Sequence, residues 1–319
     1  MNVSVLGCGR WGSFVTWYLS YEGHNVTEWG REGGKSYTVL KENGKNEYVT
    51  LNKGVKLTSN MQEAVESAEL IVVSVLSQSL REVLLNAKEY GANTKDIVLC
   101  MKGLEESTGK RLSEIAVECG YSKDKVAVWL GPGHIQEFTM GKPNCMVIDS
   151  NNPMLTKKLA DGLRSDLIRF YYGDDLIGNE IGAAAKNVIG IAAGMLDGGG
   201  YSTLKGSLMA RGAREIGRLI KAMGGNELSA YGLCHLGDYE TTLFSQYSQN
   251  RKYGEAYIKG EKFIKSAEGV KTVKALKLLG EKYGEELPIC NAVYRILYEN
   301  AEPLKTFNEL FSRSSRKEF

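Results

Sequence analysis

Histidine and proline are scarce in this chain of 319 residues, which has three histidines (His24, His134, His235) and five prolines. None of the histidines has a partner at ligand spacing, so no metal site is expected. Six cysteines (Cys8, Cys100, Cys119, Cys145, Cys234, Cys290) are scattered without a C-x-x-C pair. They read as reduced, mostly buried thiols and not as a disulfide framework. An excess of one charge is also missing: 40 Lys and Arg balance 38 Asp and Glu, a net charge of +2. That balance gives nucleic-acid or membrane binding no footing. The longest apolar run, Leu70–Leu76, is broken by Ser74 and is far short of the roughly 20 residues a bilayer requires. Internal repeats and low-complexity segments are absent. A first strand expected from residue 2 leaves no room for a signal peptide, which points to the cytoplasm.

What is present is an alternation of elements. Short apolar runs predict strands at Asn2–Leu6, Asn25–Trp29, Leu70–Val75, Ile97–Met101, Val126–Leu130, Cys145–Ile148 and Ile168–Tyr172. Helix-period segments lie between several of them, at Trp11–Glu22, Met61–Ser67, Leu80–Ala87 and Gly109–Cys119. This alternation predicts an α/β fold: a Rossmann-like, doubly wound, mostly parallel sheet over residues 1–173. After Gly173 the strand-type runs stop. Glu180–Leu196, Ser207–Met223, Glu227–Leu233 and Lys271–Tyr283 predict an all-helical second domain over 174–319. The tail 312–319 is basic and polar and is expected to fray.

The first predicted strand runs straight into Gly7-Cys-Gly9-Arg10-Trp11-Gly12. In G-x-G-x-x-G the first glycine makes the tight turn and the second lets the backbone approach a pyrophosphate. The third lets the helix pack on the strand, and helix N–H groups then face the phosphates. The expected cofactor is therefore NAD or NADP. Arg31, with no acid at the end of the second strand, tilts the reading slightly towards the 2′-phosphate of NADP. Glu28 reads either as a solvent-facing strand residue or as the ribose ligand. Trp11, Trp17 and Trp29 read as packing residues, although Trp11 is also placed to cover the pyrophosphate.

The second signal is Lys186, set in residues 178–200, a stretch of Gly, Ala, Ile and Val at helical spacing. A lysine there either snorkels to solvent or stays buried, where lost hydration brings it into the range of proton exchange. Asn187 beside it is equally out of place. A hydride carrier and a proton-transfer lysine would then occur in one chain.

Several ordered motifs add to these readings: 23–32 (GHNVTEWGRE), 101–116, 131–137 (GPGHIQE), 177–200, 208–219, 235–242 (HLGDYETT), 248–254 (SQNRKYG) and 267–276. Together the chain resembles the NAD(P)-dependent glycerol-3-phosphate dehydrogenases of the bacterial type over nearly its whole length. The resemblance implies hydride transfer between NAD(P)H and C2 of dihydroxyacetone phosphate, in a cytoplasmic homodimer that supplies glycerol phosphate for phospholipids. It implies that Lys186 is the proton donor and acceptor, with Lys102, Asp238 and Asn187 also catalytic. The substrate would meet Lys102, Gly131, Gly133, Lys186, Asp238, Thr242, Ser248, Gln249 and Asn250. Thr242 would share a helical face with Asp238. The cofactor would meet Gly7, Gly9, Arg10, Trp11, Gly12, Arg31, Ser77, Lys102, Gln249 and Glu268.

Three departures from the family pattern bear on the substrate. Gln249 stands where an arginine usually grips phosphate, exchanging a charged fork for a neutral amide. Gly133 lacks the hydroxyl usual in its loop, and Ile135 adds bulk. These keep two alternatives open: a dehydrogenase of the same fold acting on another 2-hydroxy or 2-oxo substrate, and a dinucleotide-binding regulator without turnover.

Overall fold

The computed structural model describes residues 1–314, 317 and 318. The end of the 312–319 tail, at 315, 316 and 319, lies outside the described residues. The chain divides into two compact units: Met1–Lys102 with Lys110–Glu180, and Gly103–Gly109 with Ile181–Phe319.

The first unit is built on an eight-stranded sheet of order β3-β2-β1-β4-β5-β6-β7-β8. Its strands are β1 (Asn2–Leu6), β2 (Asn25–Trp29), β3 (Lys56–Thr58), β4 (Leu70–Val73), β5 (Asp96–Leu99), β6 (Val126–Leu130), β7 (Asn144–Ser150) and β8 (Ile168–Tyr172). All neighbours pair parallel except β6 and β7. The connecting helices are α1 (Arg10–Tyr21), α2 (Lys35–Asn43), α3 (Met61–Glu66), α4 (Leu80–Lys88), α5 (Leu112–Glu118), α6 (Ile135–Thr139) and α7 (Pro153–Leu163). A sheet covered on both faces needs apolar residues in unbroken succession, and β4 and β6 are buried at every position. Phe14 of α1 stacks on Phe138 at 5.0 Å, while Trp129 of β6 meets Tyr18 edge-on at 5.8 Å. The Tyr18 hydroxyl donates to the Leu163 carbonyl at 2.6 Å, which ties α1 to the end of α7.

The order of strands reverses at β1 and β4, which stand side by side as the third and fourth of the eight strands. In such sheets the carboxyl ends of these two strands open a crevice, so the Gly7–Gly12 turn and the residues after β4 share one edge.

The second unit contains α8 (Leu176–Gly198) from Ile181 onward, α9 (Lys205–Ala222), α10 (Gln249–Lys259), α11 (Glu268–Tyr283), α12 (Pro288–Tyr298) and α13 (Pro303–Phe311). Among its described residues there is no strand. Glu227–Leu233, expected as a helix, forms only a 3₁₀ turn over Glu227–Tyr231. Glu215 of α9 is fully buried and accepts from the amides of Ile289 and Cys290, satisfying orphan donors at the start of α12. Burial raises its pKa against those hydrogen bonds.

Candidate active site

On the first unit, the turn after β1 is shaped by three glycines with three different reasons. Gly7 has φ +118°, and a Cβ there would lie 2.2 Å from the Ser74 carbonyl oxygen. A Cβ on Gly12 would lie 1.8 Å from the Gly7 oxygen, so the start of α1 packs directly on the turn. At Gly9 no atom lies within 4 Å of where a Cβ would be, leaving the open side of the turn free for a ligand. Gly9 is also the N-cap of α1 and offers no side chain to its first amides. Ser77, just after β4, has a buried hydroxyl without a hydrogen-bond partner. An open cradle, uncapped amides and an orphaned hydroxyl fit the pyrophosphate and neighbouring groups of a dinucleotide.

Of the other residues expected around the cofactor on this unit, Arg10 lies over the Tyr48 ring at 5.6 Å. Trp11 packs on Phe14 at 4.9 Å. Lys102 donates to the Gly131 carbonyl and sits 5.9 Å from the Trp11 ring. Gly131 and Gly133 both have positive φ, +120° and +157°, and a Cβ at Gly133 would strike the Phe138 ring at 2.3 Å. Phe138 therefore occupies the space that a side chain at 133 would fill. Arg31 is exposed at the end of β2. Glu28 corrects the sequence reading. It is completely buried, on the side of β2 that faces α1, and is neither solvent-facing nor an open ligand. Burial raises its pKa to about 7, and neither carboxyl oxygen has a hydrogen-bond partner.

On the second unit, α8 carries Gly182, Lys186, Gly190, Gly194 and Gly198 at four-residue spacing, a single stripe along the helix. Each glycine admits a neighbour from the later chain. A Cβ would meet His235 Cβ at 2.9 Å from Gly182, the Thr242 methyl at 2.7 Å from Gly190 and the Arg251 carbonyl at 1.9 Å from Gly194. From Gly198 it would meet the Glu255 carbonyl at 2.9 Å. Lys186 is the only long side chain in that stripe, and it does not snorkel: it is 6% exposed. Its ammonium lies 2.7 Å from Asp238 Oδ2 and donates to Thr242 Oγ1 at 2.8 Å. Asp238 is completely buried and also accepts from the Thr241 hydroxyl. The shared face expected for Asp238 and Thr242 forms differently. A 3₁₀ turn (Leu236–Asp238) and a π turn (Glu240–Phe244) bring both to the same ammonium.

Beside this pair, Asn250 donates to Asn187 Oδ1 and accepts from the Gly269 amide, both at 2.9 Å. Asn250 thus joins α8, α10 and the first turn of α11, where Glu268 lies. Ser248 caps α10 by accepting from the Arg251 amide. Gln249 donates to the Tyr247 carbonyl at 3.1 Å, and its Oε1 is buried without a partner. The bond to Tyr247 assigns Nε2 as the donor and leaves Oε1 as a buried acceptor.

Asp197, which the sequence reading passed over, ties up the nearby cations. It pairs with Lys205 at 2.9 Å and with Arg251 at 2.6 Å. Burial opposes its ionisation, but hydrogen bonds from Lys205, Ser202 and Arg251 prevail and hold its pKa below the ordinary value. His235 was read only as a histidine without a partner at ligand spacing; the structure packs it against Gly182 of the glycine stripe.

Comparison with known proteins places these halves in one family. The description NAD-dependent glycerol-3-phosphate dehydrogenase N-terminus matches residues 2–156, and the corresponding C-terminus matches 175–308. A glycerol-3-phosphate dehydrogenase [NAD(P)+] of Fusobacterium nucleatum is 36% identical, covering 100% of this chain and 98% of its own. One from Pelodictyon phaeoclathratiforme is 33% identical, covering 100% and 99%. The crystal structure of glycerol-3-phosphate dehydrogenase from Coxiella burnetii superimposes with a TM-score of 0.91 at 28% identity, covering 98% of this chain and 99% of that one.

Proposed function

The chain belongs to the NAD-dependent glycerol-3-phosphate dehydrogenase family, and from that premise we propose which of its residues carry out the reaction. The enzyme is an NAD(P)-dependent oxidoreductase that interconverts sn-glycerol 3-phosphate and dihydroxyacetone phosphate. Bound NAD(P)H supplies the hydride for reduction at C2.

Lys186 gives its proton to the C2 oxygen as the carbonyl is reduced and takes one back as the alcohol is oxidised. The observation that carries this reading is the buried ammonium between Asp238 and Thr242, at 2.7 and 2.8 Å. Asp238 balances the charge of the ammonium, Thr242 fixes its direction, and the glycine stripe excludes water from the rest of the helix face. Asn187 and Asn250 order the polar rim beside it. Lys102 offers a second cation to the substrate oxygens. Gly7, Gly9 and Gly12 hold the dinucleotide phosphates on the open turn, with Arg10, Trp11 and Ser77 around them. Arg31, exposed after β2, favours the 2′-phosphate of NADP.

Gln249 supports a second, narrower reading: this enzyme depends less on substrate phosphate than an arginine at that position would require. Lys205 and Arg251 both pair with Asp197. Cytoplasmic location, a homodimer and supply of glycerol phosphate for phospholipids complete the proposal. No helix among the described residues is long and apolar enough to cross a membrane. Oxidation of NADPH and NADH with dihydroxyacetone phosphate, and with dihydroxyacetone, tests the reading. Fast, phosphate-dependent oxidation with NADPH preferred supports it. Equal rates with and without phosphate would establish the narrower reading, and faster NADH oxidation would reject the role of Arg31.

A further inference from the structure

His235 is completely buried, and its ring meets the Gly182 and Gly212 backbone and the Tyr239 hydroxyl. Its Nδ1 lies 2.8 Å from the Gly182 carbonyl, and its Nε2 lies 2.7 Å from the Tyr239 hydroxyl. A carbonyl only accepts, so Nδ1 carries the hydrogen and donates to Gly182. Burial pushes the His235 pKa down to about 4, so the ring is neutral at ordinary pH. With Nδ1 donating to Gly182, Nε2 accepts from the Tyr239 hydroxyl. The two rings meet edge-on at 4.8 Å. Gly212 of α9 leaves room for the phenol: a Cβ there would be 3.0 Å from its oxygen.

These contacts join the two elements that hold the reacting pair. Gly182 lies one helical turn before Lys186, on the same face of α8. Three residues after His235 comes Asp238, whose amide donates to the His235 carbonyl at 3.0 Å. The imidazole therefore fixes the Asp238 turn against α8 close to where the ammonium must meet the carboxylate.

We propose that His235 is a positioning residue, whose imidazole between the Gly182 carbonyl and the Tyr239 hydroxyl sets the distance and direction of Asp238 relative to Lys186. This rests on Lys186 being the proton donor, which Lys186→Met tests separately. The titratable and charged groups around the ring are Lys186, Asp238 and Tyr239, with Glu215 and Cys290 acting on Tyr239 from behind.

The test compares His235→Leu, His235→Asn and Tyr239→Phe in the full-length enzyme. Each is first checked for folding and for NADPH binding. His235→Leu removes the donor to Gly182, and misplacement on this scale is expected to lower kcat roughly thirtyfold. KM for dihydroxyacetone phosphate should hardly change, and the pH midpoint of kcat should move down as the carboxylate loosens its hold on the ammonium. His235→Asn restores a donor near Nδ1 and should recover most of the kcat. Tyr239→Phe keeps the ring and loses only the bond to Nε2, so a loss of about threefold in kcat with unchanged KM is expected; it carries the test if His235→Leu does not fold. Wild-type kcat and pH profile in His235→Leu or Tyr239→Phe would overturn the proposal. So would an Asn variant no better than Leu. Wild-type turnover in Lys186→Met would instead overturn the assignment of the proton donor.

Discussion

Lys186 and Asp238 form an ion pair 2.7 Å long in which the carboxylate is wholly buried and the lysine side chain is 8% exposed. Removing one member of such a pair leaves the other charged and desolvated, which is why the pair acts as a unit. Asp238→Asn keeps the shape and removes the charge. It should lower kcat roughly a hundredfold and move the pH midpoint of kcat downward. Steady-state kinetics across pH check this, and an unchanged profile would mean the carboxylate is only structural.

Gln249 stands at the N-terminus of α10 with a buried acceptor oxygen. Gln249→Arg introduces charged donors there, each charged hydrogen bond being worth about 1.5–3 kcal/mol. KM for dihydroxyacetone phosphate should therefore fall by roughly ten- to a hundredfold. An unchanged KM would show that other groups already neutralise the phosphate.

The glycine stripe makes its own prediction. A methyl group at Gly194 would lie 1.9 Å from the Arg251 carbonyl, a backbone atom that cannot swing away. Gly194→Ala should cost about 3 kcal/mol of unfolding free energy, at the upper end of overpacking. Denaturant unfolding measures it, and a loss below about 1 kcal/mol would mean that α10 adjusts freely.

Glu28 links stability to pH. Burial raises its pKa from the ordinary 4.5 to about 7. Between those values the folded state holds more protons than the unfolded state, so this group's contribution to stability falls as pH rises through that window. The full change is roughly 3 kcal/mol. Glu28→Gln should therefore be markedly more stable than wild type at pH 8 and nearly equal to it at pH 4.5. Equal stability at both pH values would show that the carboxyl finds its hydrogen bonds when charged.

The sheet was largely legible because its inner strands are short, mainly apolar runs bounded by turns. β1, β2, β6 and β8 begin and end where the sequence predicted. β3 escaped because it is a three-residue edge strand with an exposed lysine, Lys56, at its start. Of the helices that were missed, three open with proline at their first position: Pro153, Pro288 and Pro303. That signal was in the sequence. The approach of Asp238 and Thr242 to Lys186 depends on a 3₁₀ turn followed by a π turn, which have no periodicity a sequence can display. Glu28 was misread because its position in β2 does not say which face packs on α1.

The central claim is that Lys186 supplies the proton at C2. Its most direct test is NADPH oxidation by Lys186→Met with dihydroxyacetone phosphate, with NADPH affinity measured in parallel. The account predicts unchanged affinity and a fall in kcat of roughly a thousandfold or more, the scale of a positioned general acid. Turnover within about tenfold of wild type would contradict it, because an unassisted alkoxide cannot be formed at that rate.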